Sequence, residues 1–184
     1  MILEQALDVV VTVLSVFTVG LYVWSTQTHF RSETPPTGVS IVAAAVFLSL
    51  AIYLLLLWLD SQPVAAQLAG IALILASLGL FWWAIVASRD FGLSHVFDMT
   101  KPTALLLSGP YAHVRHPFYT SYIIFWAGFA LSTWNLLAVL PLIAIIVIYT
   151  KAARIEEGKF SNSVLKDDYV AYRERAGIFW PKLR

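Results

Sequence analysis

Three stretches of the chain, residues 9–27, 38–59 and 61–88, carry no charged side chain at all. Each exceeds the roughly 18 apolar residues that mark a membrane-spanning helix. A fourth apolar block is interrupted. Residues 118–131 are followed by Ser132, Thr133, Trp134 and Asn135, then by a second run over 136–150. Ser and Asn favour turns, so this block predicts two helices joined as a tight hairpin. At about 1.5 Å per residue, the first arm reaches only about 21 Å, short of a hydrocarbon core of about 30 Å. It must start earlier or run into the turn if it is to span. Pro117 suits the first turn of the fourth helix, where its missing N–H costs nothing. Pro141 lies inside the fifth and is expected to bend it.

Composition agrees with this pattern. Of 184 residues, 59% are hydrophobic and 12% charged, against roughly 25% charged in a typical soluble domain. An ordinary soluble globule is excluded, and so is a disordered chain. The net charge is +1, which excludes a nucleic-acid binder acting through bulk charge. There is no cysteine, hence no disulfide, thiolate nucleophile or cysteine-ligated metal. Glu4 and Asp8, but no Lys or Arg, precede the first run, unlike the basic start of a signal peptide.

Charge placement predicts topology. With five spans, Arg31, Arg89, Lys101, Arg115 and every basic residue from Lys151 to Arg184 fall on one side. Glu4, Asp8, Asp60 and the turn near Trp134 fall on the other. Basic residues stay cytoplasmic, which places the N-terminus outside and the C-terminus inside. The expected fold is an all-α integral membrane protein of five helices in a single membrane domain. Residues 1–87 form three spans, 88–117 a cytoplasmic connector, 118–152 the helical hairpin, and 153–184 a cytoplasmic tail.

Candidate chemistry concentrates in the connector and the tail. The connector ends in Gly109-Pro110, a turn signal, followed by YAHVRHPFY. His113 and His116 are three apart and could share a helix face, but no third ligand lies close in sequence to complete a metal site. Arg115 could contact a lipid phosphate, and Tyr111, Tyr119 and Tyr122 could form an interfacial belt. In the tail, a fifth helix continuing past Thr150 puts Tyr149, Ala153 and Glu157 on one face. Glu156 and Glu157 then lie near its C-terminal end, where the helix dipole disfavours negative charge. Either Lys151, Arg154 and Lys159 balance them as surface ion pairs, or a carboxylate receives a cationic or hydroxyl-bearing ligand. Residues 167–176 predict a last short helix with Asp167 and Asp168 first, Arg173 and Arg175 last, and Gly177 as the stop. Its Leu165, Tyr169 and Tyr172 face could lie on the membrane or cover the connector.

These two segments resemble the isoprenylcysteine carboxyl methyltransferases and the wider group that includes phospholipid methyltransferases. The family pattern Gly-x-Tyr-x-x-x-Arg-His-Pro-x-Tyr is met by Gly109, Tyr111, Arg115, His116, Pro117 and Tyr119. It continues through the hairpin to Glu156-Glu157 and to Tyr169 and Tyr172. The likeness covers roughly Thr103 to Pro181; the first three helices match only as hydrophobic spans. Two positions depart. Ser121 stands where the family usually has glycine, which keeps a small residue for helix packing. Ala152 stands where it usually has an arginine tied to the substrate side, so Arg154 or Lys151 must take that part.

The resemblance implies S-adenosylmethionine as methyl donor, held between connector and tail. His116, Pro117, Phe118 and Tyr119 line the adenosyl and methionine portions. Tyr111 with Leu105 and Leu106 walls the adenine. Glu156 and Glu157 accept hydrogen bonds from ribose hydroxyls or the ammonium, and Arg154 faces the substrate. No glycine-rich nucleotide loop is present, so this is not the soluble dinucleotide-fold type of methyltransferase. The acceptor implied first is the carboxylate of a lipid-modified or hydrophobic substrate entering from the bilayer. A carboxylate is already an anion, so in-line displacement needs no general base and no catalytic acid or base is assigned. Three alternatives stay open: methylation of a phospholipid amine or another small hydrophobic nucleophile, an NADPH-dependent membrane reductase, and a non-catalytic lipid-binding membrane protein. Neither a metal nor nucleic acid is implied.

Overall fold

A computed structural model describes residues 2–28, 37–89, 105–160 and 163–182. Met1, Arg31, Lys101, Thr103 and Arg184, which figure in the predicted topology and motif span, lie outside the described residues, as does much of the predicted connector. Among the described residues six α-helices follow one another: α1 Ile2–Thr28, α2 Thr37–Leu59, α3 Val64–Ser88, α4 Pro117–Thr133, α5 Val139–Phe160 and α6 Lys166–Arg175. Four of them, α1, α2, α3 and α5, are long and apolar enough to cross a membrane. The exception among the five expected spans is α4, whose 17 residues extend about 26 Å at 1.5 Å each. It starts only just before its apolar stretch and ends only just after it, and so stays short of a hydrocarbon core of about 30 Å.

α1 begins before its uncharged run and carries Asp8 into the bundle. There Asp8 is buried and accepts a 2.5 Å hydrogen bond from Nε2 of Gln67 on α3. Buried Asp8, Val11, Ser15, Thr18, Tyr22 and Ser25 recur every three or four residues on α1, the spacing of one helix face. α3 packs most extensively on α4, and small residues permit it. A Cβ on Gly70 would meet the Ser132 hydroxyl and the Gly128 carbonyl; one on Gly128 would lie 2.8 Å from the Gly70 carbonyl. Between helices that lack a hydrophobic drive to associate in lipid, such close approach supplies the attraction. Phe81, Phe125, Trp126, Phe129 and Ile145 fill the centre, while Phe17, Phe47, Leu55 and Trp82 face outward.

One end of the bundle is closed by polar contacts. Asn135 donates to Asp60 across 3.2 Å, and Trp58 Nε1 donates to Thr12 across 3.1 Å. The link between α4 and α5 turns here: Trp134 takes a left-handed φ of 46°, and the Asn135 side chain accepts the Leu137 N–H. Pro141 is the third residue of α5. Its missing N–H falls in the first turn, so the bend expected of an interior proline is not required. α4 and α5 run antiparallel, since Tyr119 near the start of α4 meets Glu156 near the end of α5. The candidate chemistry therefore collects at the opposite end of the bundle from Asp60.

Candidate functional site

The motif segment enters α4 through a 3-10 turn, Gly109–Ala112. Gly109 has φ +60°, and a Cβ there would lie 2.8 Å from the Ala87 Cβ on α3; both facts favour glycine. The segment that follows α6 is strapped to this motif. Val114 and Gly177 form a parallel bridge. Arg115 N–H donates to the Gly177 carbonyl at 2.8 Å, His116 N–H to Ile178 at 3.2 Å, and Gly177 N–H to His113 at 3.1 Å. Gly177 has no room for a Cβ, because the Trp180 carbonyl occupies that place. The Thr120 hydroxyl, one turn into α4, lies 3.0 Å from the carbonyls of both His116 and Phe179. α6 closes over this strap: Tyr169 and Tyr172 are buried, and the Tyr172 hydroxyl donates to the Tyr111 carbonyl at 2.7 Å. The face left open by the sequence thus covers the connector.

α5 continues past Thr150 to Phe160, with Tyr149, Ala152 and Ala153 buried. Its two glutamates reach the Arg-His pair at opposite nitrogens of one imidazole ring. Glu157 Oε1 accepts from Arg115 Nε at 2.7 Å and lies 3.2 Å from His116 Nε2. Glu156 Oε2 lies 3.4 Å from His116 Nδ1, and its other oxygen accepts the Tyr119 hydroxyl. The second arm of Arg115 donates to the Ala176 carbonyl at 2.6 Å. The Arg115 side chain is only 9% exposed and that of Glu157 12%. A carboxylate at each ring nitrogen is fully matched only by the imidazolium, which donates from both. Burial alone would lower the pKa of His116, but hydrogen bonds and negative charge from Glu156 and Glu157 outweigh it and hold it above the ordinary value.

Membrane-ward of this cluster is a nest of tyrosines. Tyr119 stacks on Tyr149 at 5.4 Å, Tyr122 lies 5.4 Å from Tyr149, and Tyr22 of α1 lies 4.5 Å from Tyr122.

Of the residues singled out in the sequence, His116, Tyr119, Glu156 and Glu157 come together directly. Pro117 is buried at the first turn of α4. Tyr111 is buried against α6, and Leu105 packs on the Tyr169–Tyr172–Ala176 cluster. Leu106 is half-buried, and Phe118 contacts Phe81 at 5.5 Å. Ser121 is fully buried, its hydroxyl donating to the Phe118 carbonyl at 2.7 Å. Ala152 is buried, whereas Lys151 and Arg154 are exposed. Arg154 is two residues on, about 200° further round the helix, and does not point where an arginine at 152 would.

Arg115 turns inward to Glu157 rather than out to lipid phosphate. Tyr111 and Tyr122 are buried rather than part of an interfacial belt. The sequence reading missed Tyr22 and the strap Ala176–Phe179. Tyr22 is signalled only by its place on the buried α1 face. Gly177 shows in sequence merely as a helix stop. Among the described residues, no group of histidines and carboxylates is set to hold a metal ion.

The fold and cluster define a helical membrane protein with two carboxylates gathered on an arginine and a histidine at one end of its bundle. The family model for phospholipid methyltransferases matches residues 65–168, from α3 into α6, and the protein belongs to that family of membrane methyltransferases. No curated protein and no solved structure matches the sequence.

Proposed function

We propose that this protein transfers a methyl group from S-adenosylmethionine to the amine of a phospholipid headgroup. The observation that carries the reading is the Glu156–Glu157 pair, turned inward onto the Arg-His-Pro-x-Tyr motif within a phospholipid methyltransferase family match. When bound, the cofactor supplies an electrophilic methyl on a sulfonium. Glu156 would accept hydrogen bonds from its ribose hydroxyls, which donor and thioether product share, and Glu157, braced by Arg115, fixes the His116 ring. Tyr119, stacked on both His116 and Tyr149, holds Glu156 in place through its hydroxyl. His116, Pro117 and Phe118 wall the ligand; Tyr111, Leu105 and Leu106 bound the adenine side. Arg154, exposed near the end of α5, meets the substrate's phosphate at the membrane surface. An ammonium headgroup must lose a proton before it can attack, and His116, once it has given up its own proton, is the imidazole in the cluster able to take it. Alignment and partial removal of water do the rest. The helices hold the lipid tails, with the N-terminus outside and the site in the cytoplasm.

A second reading, methylation of the carboxylate of a lipid-modified acid, is favoured by the spacing from Gly109 to Tyr119 and on to Glu156-Glu157, which resembles isoprenylcysteine carboxyl methyltransferases. Labelled S-adenosylmethionine, offered to the detergent-solubilised protein with phosphatidylethanolamine or with farnesylcysteine, separates the two. Label in the amine lipid supports the proposal, and label in the ester supports the second reading. Label in neither, with NADPH oxidised instead, would make the protein a reductase.

A further inference from the structure

The charges around His116 have a consequence for which ligands the site accepts. Two carboxylates, Glu156 and Glu157, face one guanidinium, Arg115, and one imidazole. With His116 protonated the cluster is neutral. Among the described residues, the titratable groups packed against it include the phenols of Tyr119 on α4, Tyr111 in the 3-10 turn, and Tyr169 and Tyr172 on α6. Burial pushes the Tyr172 phenol up to about 12 and raises those of Tyr111 and Tyr169 as well. They stay neutral through the physiological range. Phe179 closes the remaining side of the ring at 6.2 Å and carries no charge. Arg115 cannot give up its proton. Among the described residues facing this ring, His116 is therefore the group free to change charge near neutral pH.

A ligand that adds a positive charge beside Glu156 leaves the cluster with one too many, and loss of the His116 proton restores neutrality. A ligand without that charge leaves the proton where it is. This inference rests on the cofactor reading above. We propose that His116 is a specificity-determining residue: its imidazolium and the sulfonium charge of the methyl donor compete for the same carboxylate pair. Loading the cationic donor then expels one proton, whereas the neutral thioether product does not. Neutral His116 favours donor over product, and protonated His116 cancels that preference. The proton balance is complete within the binding step: the N–H bond of the imidazolium breaks, its electron pair stays on nitrogen, and the proton leaves to solvent.

Two stable ligands separate the cases. S-adenosylhomocysteine is the neutral thioether, and sinefungin carries a protonated amine where the donor has its sulfonium. Calorimetry on the full-length protein in detergent, in buffers of different ionisation enthalpy, gives both affinity and proton count. Each unit by which loading lowers the His116 pKa is a factor of ten in affinity between the acid and alkaline limits. The sinefungin preference should therefore rise on the order of tenfold between about pH 6 and about pH 8. Averaged across that range, about half a proton should leave with sinefungin, and markedly less with S-adenosylhomocysteine. His116→Gln should flatten the ratio. The ratio and proton count of the unaltered protein decide the matter even if that variant does not fold. A pH-independent ratio with equal proton counts overturns the inference and leaves the cofactor reading standing. Binding of neither ligand overturns both.

Discussion

Replacing Arg115 by Met tests whether the Arg115–Glu157 contact is the brace of the site. Arg115 makes two charge-assisted hydrogen bonds in different directions, to Glu157 at 2.7 Å and to the Ala176 carbonyl at 2.6 Å. Each such bond is worth roughly 1.5–3 kcal/mol. Removing one member of a buried pair costs about 3–5 kcal/mol, because the remaining charge is stranded. At 9% and 12% side-chain exposure the pair is nearly buried, and His116 still shares the Glu157 charge. Arg115→Met should therefore cost about 3 kcal/mol, the low end of that range. Glu157→Gln, which leaves Arg115 its carbonyl partner, should cost less. The double variant should recover about 1–3 kcal/mol relative to the sum of the singles, the coupling typical of residues in direct contact. Denaturant unfolding in detergent, followed by tryptophan fluorescence, measures all four corners of the cycle. Arg115→Lys should behave nearly as badly as Met, since one ammonium cannot reach both partners in Arg115's fork geometry. Single losses below about 1 kcal/mol with no coupling, the behaviour of a surface ion pair, would refute the reasoning.

Three other perturbations follow from particular contacts, and one from charge placement. Gly128→Val places side-chain atoms where the Gly70 carbonyl and Leu73 already lie within 2.8 Å of a Cβ, so it should destabilise by about 1–3 kcal/mol or more. Gly20→Ala, with nothing within 4 Å of its new Cβ, should be neutral or slightly stabilising in the same unfolding assay. Because the folded-state pKa of His116 is raised, its contribution to stability is fully present below the unfolded value of about 6.5 and is lost as pH rises through the folded value. Unfolding measured across that range should show the loss, and His116→Gln should not. A reporter fused after Arg184 should be cytoplasmic and one before Met1 external, as the segregation of basic residues requires; an external C-terminal reporter would contradict the five-span arrangement.

The helices are legible in the sequence because their signal is coarse. An uncharged run such as 38–59 becomes α2, Thr37–Leu59, almost residue for residue. The start of α1 is harder to place, because a charged residue reads as the end of a span. Asp8 enters the bundle once Gln67 supplies a partner, and that partner lies far away in sequence. The motif residues are legible through their resemblance, and the buried face of α5 through its period of about 3.6. The inward pairing of Arg115 with Glu157 is not, since each has an ordinary surface role when read alone. Nor is the strap. Nothing in the sequence of residues 176–179 says that their backbone pairs with residues 113–116; a parallel bridge leaves no side-chain signature, and only the crowded Gly177 hints at it.

The most direct test of the account is the cofactor affinity of Glu156→Gln beside that of Glu157→Gln, read by calorimetry with S-adenosylhomocysteine. Glu156 meets His116 at only 3.4 Å and Tyr119 through a neutral hydroxyl, so its charge is the one less committed within the protein. Glu157 is held by Arg115 at 2.7 Å. Loss of a charge-assisted bond worth roughly 1.5–3 kcal/mol predicts a fall of about ten- to a hundredfold for Glu156→Gln, with a smaller fall for Glu157→Gln. Equal and small effects from both, or saturable binding of NADPH in place of S-adenosylhomocysteine, would contradict the central claim that this carboxylate pair holds a methyl-donor cofactor.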